Sequence, residues 1–312
     1  MSPRRGGGGG DRNFPPQEHP GDSYYGRPII NPPVWEEREI AGYLFTGGLA
    51  GASSLLAAGA DLSGRPALAR GARVMATGAI SASLLALIKD LGRPERFLNM
   101  LRVFKPTSPM SVGVWILFFY GPLAAGTAAS DVTGRAPGLG RAAGLAAALL
   151  GSTVSTYTAA LIANTAVPAW HEGRRELPYL FAGSAASAAG GWGLVVAPRA
   201  ENGPAVRMAV AGALVELGAE QLLERRLGMI AATLHEGTAG KRLRIARGLT
   251  AAGALGAALL GRRNRPAALA AGTALLAGSA FTRFGLFEAG MASARDPKYT
   301  VRPQRERLRE GG

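Results

Sequence analysis

The sequence has no cysteine and only three histidines, which excludes most thiol and metal chemistry within the chain. Without cysteine there is no disulfide framework, no iron–sulfur cluster, no thiolate zinc site and no cysteine nucleophile. The histidines, His19, His171 and His235, all lie outside the long apolar stretches. A haem held by two histidines inside a helical bundle therefore lacks its axial ligands, and we expect no redox metal in this chain.

Charge is also scarce in the middle of the chain. Charged residues make up 18% of the sequence, against roughly 25% in an average soluble domain, and many of them lie at the two ends. From Glu39 onward, long stretches rich in alanine and glycine alternate with short charged connectors. The stretches cover residues 40–60, 71–91, 110–130, 142–167, 177–197, 204–223, 245–261 and 266–290.

These stretches have the length of membrane-spanning helices. An α-helix needs ~20 apolar residues to cross a hydrocarbon layer ~30 Å thick. The alternative is a large soluble helical protein, but its helices should each show a polar face, and AAGLAAALLGSTVSTYTAALIANTAV shows no charge. Abundant Gly, Ala and Ser let helices pack closely in lipid. We predict an all-α integral membrane protein, a bundle of eight transmembrane helices, of which the seventh stretch is the shortest.

The two ends of the chain form separate regions. Residues 1–35 contain five consecutive glycines and several prolines, a composition that cannot bury a core. We therefore expect a disordered N-terminal arm over 1–35, with neither the apolar segment of a secretory signal nor a twin-arginine signal. The eight-helix domain is predicted over 36–295 and a basic C-terminal tail over 296–312.

The distribution of basic residues predicts the orientation. Of the 35 Lys and Arg residues, 24 lie on the face that holds both termini and ten on the other face. The positive-inside rule then places both termini in the cytoplasm. This topology accounts for the net charge of +14. Nucleic-acid binding is the weaker alternative, because the basic ends lack clustered aromatic residues for stacking on bases.

Ionisable residues inside membrane segments are costly, and they are functional candidates by default. Glu216 and Glu220 are four residues apart and share one helix face, and Glu224, which we expect to be solvated, extends the row. Arg283 and Glu288 lie in the last stretch. One interpretation is a proton pathway through this set; the other is that Arg283 pairs with Glu216 or Glu220 and only neutralises buried charge.

Two further polar residues also have two interpretations each. Asp90 ends the second stretch, where it either handles protons or has a structural role, in which it caps the following loop or pairs with Arg93 or Arg96. Tyr157 belongs to the fourth stretch, where it either contacts a ligand or packs as an ordinary aromatic whose hydroxyl bonds a neighbouring helix.

Several segments resemble one family. The loop DLGRPERFLNMLRVFKPTSPMSVGVW and the ending FEAGMASARDPKYTVRPQRER, together with GGLAGAS and YTAALIANTAVPAW, are similar to segments of the NrfD family over roughly residues 36–309. These proteins are membrane subunits of polysulfide reductase and related molybdopterin- or cytochrome-linked oxidoreductases. The order of Gly-Arg-Pro, Arg-Phe, Lys-Pro and Ser-Pro-Met-Ser makes the loop the most specific part of the match.

The resemblance implies a subunit of the prokaryotic inner membrane and the respiratory chain. It binds menaquinone or ubiquinone and exchanges electrons with a docked iron–sulfur subunit, which connects to a catalytic, molybdopterin-containing subunit. We expect the basic loop after the second stretch to dock that partner, through Arg93, Arg96, Arg102 and Lys105.

The resemblance also implies a quinone pocket at the face that bears the termini. Family members use a tyrosine of the fourth helix there, and this role is carried onto Tyr157. The Asn and His that some members have in the first helix have no counterpart, so Glu39 and Tyr43 take their place by position. Asp90 or Glu39 would exchange protons with the quinone. The expected pocket contains Glu39, Tyr43, Asp90, Tyr157, Asn164 and Trp170.

Two other functions remain alternatives. A secondary transporter should show inverted repeats and broken helices, and the halves of this sequence show no convincing correspondence. A structural anchor would tether the partner without binding quinone. In that case, substitution of Tyr157 and Asp90 would leave electron transfer intact.

Overall fold

The computed structural model describes residue 30, residues 33–90 and residues 99–301, and within these every regular element is helical. Short helical turns at Pro168–Glu172, Gly228–Ala231 and Ala232–His235 lie in the connectors. The long helices are α1 (Glu37–Leu62), α2 (Pro66–Asp90), α3 (Pro109–Thr133), α4 (Pro137–Ala163), α5 (Leu177–Val196), α6 (Gly203–Leu227), α7 (Gly237–Leu260) and α8 (Arg265–Arg295).

Local sequence signals explain where these helices begin. Helices α3, α4, α5, α6 and α8 each carry proline in the first turn, where its missing N–H has no helical partner to lose. Ser108 caps α3 by accepting a hydrogen bond from the N–H of Ser111, and Asn264 caps α8 in the same way. Helix α3 ends at Thr133, and the next residue, Gly134, has a φ of 66° that favours glycine.

Seven of the eight long helices in the described residues are apolar enough to cross a membrane, and α6 is the exception. The prediction of an integral membrane protein is therefore supported, but the weakest span is the sixth and not the seventh. Helix α7 is 24 residues long because it begins at Gly237, in the connector that precedes the seventh stretch. Helix α6 instead carries acidic and basic residues along its length.

Contacts at both tips show that α6 runs the full length of the bundle. At its start, the side-chain amide of Asn202 donates to the carbonyl of Gly261, just after α7, at 2.8 Å. At its end, Nε of Arg226 donates to the carbonyl of Glu172, just before α5, at 3.0 Å. The buried carboxylates of α6, Glu216 and Glu220, are accommodated because they face other helices.

The bundle consists of two four-helix halves. In the first half, α1 packs on α2, α2 on α3, α3 on α4 and α4 on α1; in the second half, α5 to α8 close a similar ring. Contacts of α5 with α1 and α4, and of α8 with α1, join the halves. We call the end where α1 begins and α8 finishes the terminal end, and the other the opposite end.

Glycine allows backbones to touch within each half, as the sequence predicted. A Cβ on Gly51 of α1 would lie 2.2 Å from the carbonyl oxygen of Gly151 of α4. A Cβ on Gly212 of α6 would lie 2.4 Å from the amide nitrogen of Ser187 of α5. Even alanine at either glycine would force these helices apart.

The predicted end regions lie largely outside the described residues, as does the connector 91–98. Of the predicted arm, Trp35 is described, and its ring stacks on that of Trp170 at 6.0 Å. Of the predicted tail, Tyr299 is described and buried against the bundle. At least these parts of the flanking segments pack on the helical domain.

Candidate functional site

Two buried tyrosines meet at the terminal end of the first half. The hydroxyl of Tyr43 in α1 donates to that of Tyr157 in α4 across 3.4 Å. Tyr157 packs against Gly113 of α3, where a Cβ would lie 1.9 Å from its ring. Because Tyr157 accepts this bond, its own O–H can donate to a second acceptor.

Two carboxylates lie beside this tyrosine pair. Glu39 is one helical turn before Tyr43, so both occupy one face of α1. One oxygen of Glu39 is 3.1 Å from Nζ of Lys89, whereas its Oε2 is buried without a hydrogen-bond partner among the described residues. Asp90 is half-buried and lies near the carboxylate of Glu39. The fold thus brings together four of the six residues of the expected pocket.

Asn164 is not gathered with these four residues. It ends α4, and its backbone N–H donates to the carbonyl of Ala160 at 3.1 Å. Its side chain is exposed. No sequence signal indicated that Asn164 is exposed, because the last turn of α4 has both buried and exposed positions.

Trp170 is buried, but its contacts are with α8. Its indole N–H donates to the carbonyl of Leu286 at 2.9 Å, and its ring packs between Trp35 and Phe287. Gly290 leaves the room for this ring, since a Cβ there would lie 2.0 Å from it. Trp170 therefore attaches the connector after α4 to the second half.

A separate polar cluster surrounds Glu216 in the second half. Glu216 is 2% exposed. Its carboxylate accepts from the hydroxyl of Thr282 at 2.8 Å and from that of Ser187 at 3.1 Å. Nearby, the hydroxyl of Ser184 donates to that of Ser279 at 2.8 Å. Hydroxyl groups of α5 and α8 thus supply hydrogen bonds to a carboxylate that is almost completely buried.

The acidic row continues from Glu216 toward the terminal end. Glu220 pairs with Arg247 of α7 at 3.0 Å, and the same guanidinium reaches Glu224 at 2.5 Å. His235 lies 3.8 Å from Glu224. Exposure rises along the row, from 2% at Glu216 to 8% at Glu220, and Glu224 is partly exposed. The row therefore connects the interior of the second half with its surface.

Arg283 is fully buried between the halves and does not form the predicted ion pair. Among the described residues, Glu216 binds hydroxyls and Glu220 pairs with Arg247 instead. Arg283 donates to the carbonyls of Phe181 at 2.8 Å and Leu44 at 3.4 Å. Its guanidinium also lies 3.8 Å from the centre of the Phe181 ring. The side chain faces α1 and α5, so it joins the halves.

Glu288 lies at the terminal end and not in the bundle interior. Its carboxylate is 3.1 Å from Arg242 of α7, which also pairs with Glu37 of α1. Sequence reasoning missed both Arg242 and Arg247 as partners, because it assigned them to a connector. The i, i+3 spacing of the basic residues from Lys241 to Arg247 was the available signal.

The predicted docking loop is partly described. Arg102 and Lys105 are exposed at the terminal end. The carbonyl of Val103 between them accepts from the hydroxyl of Ser111 at 3.2 Å, which fixes this part of the loop on α3. Arg93 and Arg96 lie outside the described residues.

Comparison with known proteins adds one finding to this geometry. A family model described as "Polysulphide reductase, NrfD" matches residues 30–293, which include all eight long helices except the last two residues of α8. A comparison with curated proteins finds no match.

Proposed function

The chain belongs to the NrfD family of membrane proteins, and from this premise we propose that it is the membrane subunit of a multi-subunit oxidoreductase. In this proposal it binds a quinone or quinol at the tyrosine pair. It exchanges electrons with an iron–sulfur subunit docked at the terminal end. That partner connects it to a catalytic, molybdopterin-containing subunit.

The observation that carries the proposal is the group of Tyr43, Tyr157, Glu39 and Asp90 at one end of the first half. A quinone head group requires hydrogen-bond donors for its carbonyls and nearby acids for its protons. Tyr157 has an O–H free to donate, and Glu39 has a buried oxygen without a partner in the described part of the chain. These residues therefore fit such a head group.

Each residue has a distinct role in the proposed mechanism. Bound quinone supplies a two-electron, two-proton couple. Tyr157, positioned by Tyr43 and Gly113, donates a hydrogen bond to a carbonyl oxygen. Glu39 and Asp90 take up and release the protons that accompany the electrons, and the ammonium of Lys89 balances the charge of Glu39 after it has released its proton. Burial of both tyrosines keeps bulk water from the hydroxyl groups.

The remaining parts of the proposal concern the membrane and the second half. We count α6 as the eighth crossing, because it reaches both ends of the bundle. The excess of basic residues on the terminal end supports termini on the cytoplasmic side of a prokaryotic inner membrane. The row from Glu216 to Glu224 supports proton transfer between the interior and the terminal end. Exposed Arg102 and Lys105 support docking of an acidic partner there.

The first experiment is to purify the complex gently from membranes, to identify its subunits by mass spectrometry, and to measure quinone-linked turnover. Tyr157→Phe is the test variant and Tyr120→Phe is its control. Tyr120 is also a buried tyrosine of the first half, with its hydroxyl bonded to Ser54 at 2.8 Å. Losing one hydrogen bond that forms with the bound quinone lowers turnover by about tenfold in Tyr157→Phe, an effect of about 1.5 kcal/mol.

Three results would contradict the proposal in different ways. Equal turnover in Tyr157→Phe and Tyr120→Phe would remove the tyrosine pair as the quinone site. Full electron transfer in both Tyr157→Phe and Asp90→Asn would favour a structural anchor. A chain that purifies alone and binds no quinone would favour a transporter.

A further inference from the structure

A cleft opens at the opposite end of the first half, far from the tyrosine pair. It has a volume of about 400 Å³ and lies between α1, α2, α3 and α4. Its walls are mostly small and apolar, and Ser54, which bonds Tyr120, lies at its inner part. Pockets of roughly 300–1,000 Å³ with apolar walls and a few polar groups are typical ligand sites.

Backbone contact separates this cleft from the proposed quinone site. Gly51 of α1 and Gly151 of α4 touch between the levels of Ser54 and Tyr43. Helix α1 rises ~1.5 Å per residue, so Asp61 at the cleft is about 27 Å from Tyr43. The cleft is therefore a second site with its own chemistry.

The mouth of the cleft carries a net positive charge. Arg73 pairs with both Asp61 and Asp131, which uses both carboxylates. Arg141 lines the cleft, and together with Arg70 it also lines an adjoining recess of about 290 Å³. Both are exposed, and neither forms an ion pair within the described residues. Two arginines are thus available to an anion.

The surroundings of the mouth are apolar and face outward. Leu62 and Leu145 line the cleft and are 80% and 49% exposed, and Leu149, one turn further along α4, is 75% exposed. In a membrane-spanning helix such side chains face lipid acyl chains. The cleft therefore opens where a hydrocarbon layer meets basic side chains at the helix ends.

From this combination we propose that the cleft binds an anionic phospholipid of the adjacent leaflet. The phosphate lies against Arg141 and Arg70, and part of one acyl chain occupies the slot lined by Ala57, Ala76 and Ala124. Charge complementarity selects this occupant over a zwitterionic lipid. The apolar slot selects it over a free anion.

The test uses the intact purified complex in detergent and measures retained lipid by native mass spectrometry. Phosphatidylglycerol is the anionic probe and phosphatidylcholine the zwitterionic one. Arg141→Gln removes the charge at the cleft; Arg207→Gln is the matched control, an exposed arginine at the same end in the second half. We expect about fivefold weaker phosphatidylglycerol binding in Arg141→Gln, the effect of one basic residue at an anionic lipid, and no change in Arg207→Gln.

A second variant tests the slot and not the charge. Ala58 lines the cleft and is only half-buried, so Ala58→Leu fills the slot without disturbing the core. We expect it to weaken phosphatidylglycerol binding while leaving the charge unchanged. Equal retention in Arg141→Gln and Arg207→Gln would overturn the proposal. So would equal retention of both lipids, or displacement of bound lipid by inorganic phosphate alone. None of these outcomes depends on quinone turnover.

Discussion

The two halves of the bundle differ in where their charged side chains lie. Within the described residues, the first half keeps its acidic and basic side chains at its ends. Glu39 and Asp90 lie at the terminal end, and Arg73 with its partners Asp61 and Asp131 lies at the opposite end. The polar side chains buried between these ends are hydroxyls. The second half buries a carboxylate at Glu216 and is closed against the first by the guanidinium of Arg283.

This difference indicates which kind of molecule or ion each half can accept in its interior. An interior of hydroxyls and small apolar residues can accept a neutral, lipid-soluble molecule, because no charged side chain there has to lose water when the molecule binds. An interior that already solvates a carboxylate with Ser187 and Thr282 suits the transfer of protons. The halves share close glycine packing, so the contrast lies in chemistry and not in architecture.

The largest effects should come from the feature that both halves share. Gly51→Leu and Gly212→Leu each place a side chain against backbone of the facing helix. We expect each to destabilise the fold by at least about 3 kcal/mol, the upper part of the range for overpacking. The measurement is the yield and thermal unfolding of the purified protein. Gly126→Leu is the control, since a Cβ there meets nothing within 4 Å. Tolerance at only one of the two glycines would show that the halves are not packed alike.

The next largest effect is expected at Glu216, the buried carboxylate that distinguishes the second half from the first. Glu216→Leu deprives two hydroxyls of their acceptor and removes the negative charge nearest Arg283, so we expect a loss of about 2–3 kcal/mol in unfolding free energy. Glu216→Gln keeps the shape and an acceptor, and should cost about 1 kcal/mol. Denaturant unfolding of both variants measures this. An unchanged midpoint in Glu216→Leu would mean that the buried charge contributes nothing to stability.

A smaller effect is expected where the halves meet. Arg283→Lys keeps the charge, but an ammonium cannot reproduce the planar contacts with two carbonyls and the Phe181 ring. We expect a loss of about 1.5–2 kcal/mol, the lower part of the range for a hydrogen bond from a charged group. Calorimetry should also show a broader transition, because the halves are less tightly joined. A wild-type transition would assign their cohesion to the packing of α5 on α1 and α4 and of α8 on α1.

The smallest effect concerns the hydroxyls of the first half. Ser54→Ala and Tyr120→Phe each remove the bond between α1 and α3. A double-mutant cycle on thermal stability should give a coupling of about 1 kcal/mol, typical of a neutral hydrogen bond. If the two losses simply add, the hydroxyls are not coupled, and the interior of the first half is less ordered than that of the second.

The sequence predicted the helical class, the long helices and the grouping of Tyr43 with Tyr157, because apolar length and antiparallel order determine these. It could not predict the partners of the buried charges. Charge alone suggested that Arg283 pairs with Glu216 or Glu220, whereas its position on α8 points it at carbonyls of α1 and α5. Arg247 was missed because sequence reasoning counted it with the basic connector, whereas it lies within α7. The cleft depends on how four helices diverge, which no local pattern reveals.

The composition of α6 also has a consequence for how the protein is made. Charged residues near the centre of a segment oppose its entry into lipid during synthesis. Helix α6 is therefore expected to remain at the insertion machinery until Ser187 of α5 and Arg247 of α7 are in place to receive its carboxylates. The second half would then enter the membrane as a group, whereas the helices of the first half are apolar enough to enter one at a time.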